Sequence, residues 1–330
     1  MPIFDVGYRH WEGKLRSPLA RCWTIARTGI VLAFRSVLLR RLVLFGWAPL
    51  LYFAPSFFAV GYVTDPVRDY KTITQTPLFG MLRDILGPEV AERMRTSPES
   101  IRPMAWSILF QWFFSISQAI ITMLVVGIVG PPLISQDVRS KAFLIYYSKP
   151  ITLPEYLMGK AGTLLFFIAV GTVLPALMLY GVSIAFSPSA AALVQTWATI
   201  VRILSVFFVI AVPSTLLVLC LSSLVKESRY AAFGWMAFCL MGEMAYGILA
   251  NLSTLSNSSW ICCVSFRKTI AVLTSAIFDV QNQVRELGLN LRLLNLEDNY
   301  PPQACAIWLI LLSSISLVIL VRRVSAPVRI

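Results

Sequence analysis

Six stretches of the chain are apolar at nearly every position and almost free of charge. They lie at 42–63, 104–129, 161–186, 196–224, 230–249 and 303–321. Each is long enough to cross the hydrocarbon core of a bilayer, which takes about 20 helical residues. Only helices and closed barrels satisfy their backbone hydrogen bonds inside lipid, and the apolar positions here are continuous rather than alternating. The pattern therefore predicts an all-α integral membrane protein with six transmembrane helices.

Two amphipathic segments accompany these predicted spans. Residues 14–37 place apolar side chains on one arc of a helix and basic side chains on the opposite arc, which predicts a helix lying in the membrane interface. A helix packed on a soluble partner is the alternative. Residues 266–296 place Ile270, Leu273, Ile277 and later apolar residues at steps of three and four, as in a heptad seam. This predicts an external helix that packs on the spans, on a second copy of itself or on the outer membrane surface.

Composition and charge agree with the membrane class and orient the chain. Only 13% of residues are charged and the mean hydropathy is +0.74, whereas a soluble domain carries about 25% charged residues. The segments predicted on one side are 1–41, 130–160, 225–229 and 322–330. They hold 17 of the 28 Lys and Arg residues and five of the 16 acidic ones. Because cytoplasmic loops carry the Lys/Arg excess, we predict that both termini are cytoplasmic.

The remaining loops, 64–103 and 250–302, hold equal numbers of basic and acidic residues and are predicted to lie outside. The net charge of +12 is then explained by topology and anionic lipid, and no nucleic-acid partner is expected. The chain divides into a cytoplasmic leader, 1–41, and a six-span domain, 42–330. The expected location is the cytoplasmic (inner) membrane.

Enzyme motifs are missing from the sequence. The one histidine, His10, belongs to no HExxH motif. The nearest approach to a nucleotide-binding P-loop, from Gly7 to Lys14, has the wrong spacing and carries Leu15 where Ser or Thr would bind Mg²⁺. We therefore expect no enzyme activity and no cofactor on this chain.

Cysteine and buried charge give two further candidate sites. The six cysteines show no metal-ligand spacing, but a disulfide to Cys305 on the outer side is an open alternative. Arg202 and Glu243 lie within consecutive spans at similar depths below the outer surface. We predict that they pair. Such a pair either fixes packing or makes Glu243 an ion-coupling site.

The predicted loop 130–160 interrupts two long apolar runs with a short, mostly basic stretch. The sequence Gly130-Pro131-Pro132 predicts the end of the second span, with the chain back in water at Ser135. A sharp corner follows, and Thr152 with Glu155 forms a capping box for the helix that enters the third span. Aromatic side chains on such a short loop favour docking into a partner's groove. The candidate contacts with that partner are Gln136, Asp137, Arg139, Lys141, Phe143, Tyr146, Tyr147, Lys149 and Glu155.

This loop resembles the cytoplasmic loop of ABC type-2 permeases, the membrane subunits of one class of ABC exporter. The resemblance is carried by Gln136-Asp137, Arg139, Ser140, Leu144, Ser148-Lys149-Pro150, Thr152, Glu155-Tyr156 and Gly159-Lys160. The basic C-terminal VRRVSAPVRI is also similar to that family's tails. The sequence departs from the family at Lys141, where glycine is usual, and at Gln136, where an acid is usual.

The resemblance implies a permease subunit of an ATP-driven exporter. Its expected partners are a cytoplasmic ABC ATPase that carries ATP and Mg²⁺, a second permease copy or sister permease, and membrane lipid. The loop after span 2, and often the leading helix, would rest on the ATPase. Two alternatives stay open: an ion-coupled carrier that uses Glu243, and a non-transporting membrane scaffold. The sequence does not identify the cargo.

Overall fold

Every regular element of the described residues is a helix, which confirms the predicted all-α class. The computed structural model describes residues 17–63, 98–142, 151–185, 196–252, 260–286 and 300–325. The helices are α1 (Pro18–Phe34), α2 (Val37–Phe45), α3 (Pro49–Val63), α4 (Pro98–Trp112), α5 (Ala119–Arg139), α6 (Leu153–Ala185), α7 (Ala198–Leu224), α8 (Ser228–Asn251), α9 (Phe266–Ile277), α10 (Val280–Glu286) and α11 (Pro302–Ser325). A π-helix, Phe113–Gln118, joins α4 to α5, and a 3₁₀ turn, Ile261–Val264, precedes α9.

Six helical segments are long and apolar enough to cross a membrane, as predicted. The first combines α2 and α3, the second runs from α4 through the π-helix to the end of α5, and the others are α6, α7, α8 and α11. Helix α7 packs against α5, α6 and α11 at the centre of the bundle, whereas α8 is the least buried span. Which side of the bundle faces the cytoplasm stays a prediction.

The second span does not end at its diproline, so the predicted return to water at Ser135 is wrong. Helix α5 continues through Pro131 and Pro132 to Arg139, and Ser135 is fully buried. The hydroxyl of Ser222, from α7, accepts hydrogen bonds from the N–H groups of Ile134 (3.2 Å) and Ser135 (2.9 Å). It also donates to the carbonyl of Pro131 at 2.5 Å. A neighbouring hydroxyl thus satisfies the backbone that the prolines disturb.

The leading helix α1 runs parallel to the start of α6. Three successive contacts join the two helices: Arg21 with Glu155, Ile25 with Gly159, and Gly29 with Thr163. Residues four apart in one helix therefore meet residues four apart in the other. The helices approach so closely that a Cβ added at Gly159 would lie 2.6 Å from the Cβ of Ile25. On the predicted apolar face of α1, Leu19 and Trp23 are exposed. The interfacial position of α1 stays a prediction.

The predicted external helix is two helices, and the first is packed among the spans. Helix α9 ends at Ile277, and the chain turns at Asp279, whose φ of 56° breaks the helical path before α10. Between them, Phe278 is fully buried and stacks on Phe110 and Phe114 at centroid distances of 5.9 and 6.2 Å. The predicted seam beyond α10 lies outside the described residues.

Candidate functional site

A group of ion pairs joins α1, α5 and α6 at the end of the bundle predicted to be cytoplasmic. Asp137, in the last turn of α5, accepts hydrogen bonds at 2.7 Å from both Lys160 Nζ and Tyr156 Oη of α6. The side chains of Asp137 and Lys160 are each only 14% exposed. At that exposure water screens the ion pair less than it does at an open surface. The end of the second span is therefore tied directly to the start of the third.

The same region ties α1 to α6. Glu155 pairs with Arg21 at 2.9 Å, and it also accepts from the backbone N–H of Thr152 at 3.0 Å. The second bond is the one expected of the acidic residue in the predicted capping box. We call Arg21, Asp137, Glu155, Tyr156 and Lys160 the cytoplasmic joint.

Three other predicted contact residues lie beside the joint. Gln136 is exposed, and Arg139 pairs with Glu227 in the turn between α7 and α8 at 3.2 Å, with the arginine side chain 67% exposed. Lys141 is exposed and has a φ of 54°, in the left-handed region that glycine adopts without cost. A glycine at this position would adopt the same backbone without strain. The remaining candidates, Phe143, Tyr146, Tyr147 and Lys149, lie outside the described residues.

A cleft of about 580 Å³ opens beside the cytoplasmic joint. Its walls are α1, α2 and the last turns of α5, and its lining includes Thr24, Thr28, Gln136, Asp137 and Lys160. The charged end of the second span is thus reachable from outside the bundle.

The predicted pairing of Arg202 with Glu243 is wrong, because the segment after α8 supplies other partners. Glu243 forms an ion pair with Arg267 of α9 and accepts a hydrogen bond from Ser265 Oγ at 2.6 Å. Arg202 donates to the carbonyl of Phe278 at 3.3 Å and to Ser107 Oγ at 3.4 Å.

Glu243 and Arg202, the two charged residues within these spans, instead bind the two ends of α9. Ser265, which binds Glu243, is the N-cap of α9, and Phe278, which binds Arg202, is its C-cap. A carboxylate near a helix N-terminus and a guanidinium near its C-terminus each complement the helix dipole. These contacts favour a role for Glu243 in packing over a role as a site that takes up and releases ions.

Three cysteines meet at the end of the bundle predicted to face outside. Cys262 Sγ lies 3.2 Å from Cys305 Sγ in the first turn of α11, and 3.9 Å from Cys263 Sγ. Cys262 and Cys305 are fully buried. Burial raises the pKa of the Cys263 thiol to about 11. If a disulfide to Cys305 forms, the geometry selects Cys262 as its other half.

Sequence reasoning missed Arg21, Arg267 and Ser222 as structural partners. One signal pointed to close packing at the start of α6, because Gly159 and Thr163 are small residues four positions apart, but it did not identify Arg21 as a partner. Small residues repeated every four positions mark close helix packing in membranes. Neither Arg267 nor Ser222 carries such a signal, because their partners depend on how distant segments fold back.

No protein-family model and no curated protein matches the chain.

Proposed function

We propose that the chain is the membrane-spanning permease subunit of an ATP-driven ABC exporter and works with a separate cytoplasmic ATPase. The observation that carries the proposal is the cytoplasmic joint. It ties the leading helix, the end of span 2 and the start of span 3 to one another. The corner that the sequence predicts lies between the last two of these segments. The family resemblance implies that the loop after span 2, and often the leading helix, rest on the ATPase, and the joint lies at the base of both.

The joint supports a coupling role because it is stiff. A push on the corner would reach Asp137 on one side and Glu155 on the other, and each is held by an ion pair that is largely shielded from water. Below the joint, α1 and α6 stay in close contact along three turns, where a side chain at Gly159 would clash with Ile25. Movement of the ATPase would therefore shift α1, α5 and α6 together, because packed helices move as units rather than deform continuously.

Two further parts of the proposal follow the resemblance. ATP and Mg²⁺ bind the partner ATPase, and the working unit contains a second permease, either a copy of this chain or a sister chain. The permease shapes the path for the cargo, and hydrolysis takes place on the partner.

A gentle-detergent pull-down of the tagged chain from its native cells tests the proposal. Mass spectrometry should identify a co-purifying P-loop ATPase, and the eluate should hydrolyse ATP in a Mg²⁺-dependent manner. Tyr147→Ala, at the corner, should remove most of the ATPase. Lys226→Ala, at the exposed turn between α7 and α8, is the control and should retain it.

Two results would contradict the proposal. A chain that elutes without an ATPase and dissipates a proton gradient after reconstitution would support the ion-coupled carrier. A chain that brings down a cytoplasmic partner without ATPase activity, and moves nothing, would support the scaffold.

A further inference from the structure

A cavity of about 750 Å³ lies in the half of the bundle that contains Glu243. The first span, the second span, α8 and α9 enclose it. Its lining combines aromatic rings with uncharged polar side chains, among them Tyr52, Trp112, Tyr246, Gln111, Ser115 and Ser275. Ligand pockets in proteins have this composition, in which a few polar groups within aromatic and apolar surface fix the orientation of the ligand. The cavity is therefore a candidate binding site within the spanning part of the chain.

Two of the polar side chains in this lining are almost completely buried. Gln111 is 6% exposed and Ser275 is 2% exposed. Gln111 Oε1, Ser275 Oγ and Ser115 Oγ each lack a hydrogen-bond partner among the described residues. Buried polar atoms need such partners, and a ligand that displaces water from them must replace the bonds that the water made. A ligand that fits this cavity therefore offers hydrogen bonds to these oxygen atoms.

The π-helix leaves the hydroxyl of Ser115 available. Elsewhere in the spans, buried serines donate to the carbonyl four residues earlier, as Ser135 does to Pro131 at 2.7 Å. Ser115 lies in the π-helix Phe113–Gln118, where its hydroxyl makes no such bond. Single π-helical turns inside α-helices occur frequently at functional sites. The local backbone of the second span thus points a polar group at the cavity instead of at its own helix.

The charged side chains of the lining argue against a charged ligand. Arg267 is paired with Glu243, and Lys268 Nζ lies 4.7 Å from the centroid of the Tyr246 ring, so both cations already have partners within the protein. A cationic ligand would still be repelled by these two positive charges. An anion, in turn, has no proton to donate to Gln111 Oε1, which only accepts. An uncharged ligand with hydroxyl groups meets neither obstacle.

A sugar has the chemistry that this lining requires. Its hydroxyls both donate and accept, so they can bond to Gln111 and to the serine hydroxyls alike. Its ring carries C–H bonds on its faces, which pack against the apolar faces of aromatic rings. We infer that the cavity binds an uncharged, hydroxyl-rich group such as a sugar. Two sources carry such a group, a glycolipid of the membrane and a soluble glycan. The inference concerns this chain by itself and does not rest on the proposed function.

Lipid retention by the purified, delipidated full chain tests the inference. The probe is glucosyl dioleoylglycerol, and the comparison lipids are dioleoylphosphatidylcholine, which is zwitterionic, and dioleoylphosphatidylglycerol, which is anionic. All three carry the same acyl chains, so differences in retention report on the head group. Native mass spectrometry of the chain in a detergent without a sugar head group should show about fivefold more of the glucosyl lipid than of either phospholipid, which corresponds to about 1 kcal/mol.

Substitutions in the lining test the polar contacts. Gln111→Leu removes the acceptor with little change in side-chain volume, so retention of the glucosyl lipid should fall about fivefold, the effect of losing one hydrogen bond. Ser275→Ala removes a hydroxyl and should lower retention in the same direction. Gln303→Leu makes the first change again at an exposed position in the first turn of α11, outside the cavity, and should leave retention unchanged. Thermal unfolding of each variant shows whether it is folded.

Competition with free maltose separates the two sources. Excess maltose should displace the glucosyl lipid if the site recognises a soluble glycan, whereas a glycolipid that is also held by its acyl chains should stay bound. Three results would overturn the inference: equal retention of the three lipids, a preference for phosphatidylglycerol, or a preference for the glucosyl lipid that Gln111→Leu and Ser275→Ala both leave unchanged.

Discussion

At the scale of single residues, the charges inside the spans serve packing between segments far apart in the chain. Arg202 and Glu243 lie in consecutive spans, as predicted, yet each binds one end of α9. Their place in those two spans was readable from the sequence. The return of the segment after α8 into the bundle was not, because residues 260–264 carry only a short apolar run and no turn motif that fixes its direction.

Glu243→Gln tests the packing role. The substitution removes the ion pair with Arg267, while the amide can still accept from Ser265. Because both charged side chains are 36% exposed, we expect a loss of only about 1 kcal/mol in stability. Thermal unfolding of the purified protein in detergent would measure this loss of stability. The variant should transport any cargo at the rate of the unmodified protein. Normal stability together with lost proton-coupled flux would instead make Glu243 a proton site.

The cysteine cluster gives a second prediction at this scale. On the outer side, Cys262 and Cys305 should form a disulfide, their thiols passing two electrons and two protons to an external oxidant such as a protein disulfide. Non-reducing digestion and mass spectrometry should find these two residues linked, and Cys263→Ser should leave the link intact. The remaining thiol, Cys263, should alkylate more slowly at pH 8 than an exposed cysteine, because burial raises its pKa and so lowers the fraction of reactive thiolate. Two free thiols, or a bound soft metal ion, would contradict the prediction.

At the scale of elements, the apolar pattern predicted the six spans, because a bilayer imposes length and hydropathy on each helix independently. The pattern misplaced the end of the second span. Gly130-Pro131-Pro132 is a strong local breaking signal, but Ser222 of α7 bridges the disturbed backbone and the helix continues to Arg139. Helix ends that depend on a distant side chain cannot be read from local sequence.

Ser222→Ala tests this bridge. The change removes the acceptor for the N–H groups of Ile134 and Ser135, whereas the carbonyl of Pro131 keeps its bond from the Ser135 hydroxyl at 2.7 Å. The protein should therefore lose about 1–3 kcal/mol of stability. Ser223→Ala is the matched control, since among the described residues the Ser223 hydroxyl binds only the carbonyl of Cys220 in its own helix. Equal unfolding temperatures for the two variants would show that the bridge contributes nothing.

Lys141→Gly tests the backbone at the end of α5. Lys141 has a φ of 54°, which glycine adopts without the steric cost of a Cβ. We expect a gain of about 1 kcal/mol in stability. Ser140→Gly, one residue earlier in a right-handed conformation, should give no gain. Thermal unfolding of both variants decides the matter, and destabilisation by Lys141→Gly would contradict the assigned conformation.

At the scale of the whole molecule, the bundle has one stiff polar end and one end with cavities. The cytoplasmic joint binds α1, α5 and α6, and the opposite half holds α9, the π-helix and two cavities of about 750 and 260 Å³. The second span runs between these two regions, since Asp137 and Ser115 both belong to it and Ser115 lines both cavities. The sequence predicted the capping bond of Glu155 to Thr152. It predicted Asp137 only as a contact with a partner ATPase, which stays a prediction, and the pairs with Lys160 and Arg21 became visible only in the fold.

The measurement that tests this account most directly is ATP hydrolysis by the purified complex with the joint's charges reversed. Arg21→Glu and Glu155→Arg each break the pair between α1 and α6, and the double variant restores that pair with opposite polarity but not the capping bond of Glu155 to the Thr152 N–H. We predict that each single variant still co-purifies with the ATPase but hydrolyses ATP about tenfold more slowly, a change of about 1.4 kcal/mol, and that the double variant hydrolyses ATP faster than Glu155→Arg alone. Single variants with the rate of the unmodified complex would contradict the account, as would the absence of an ATPase.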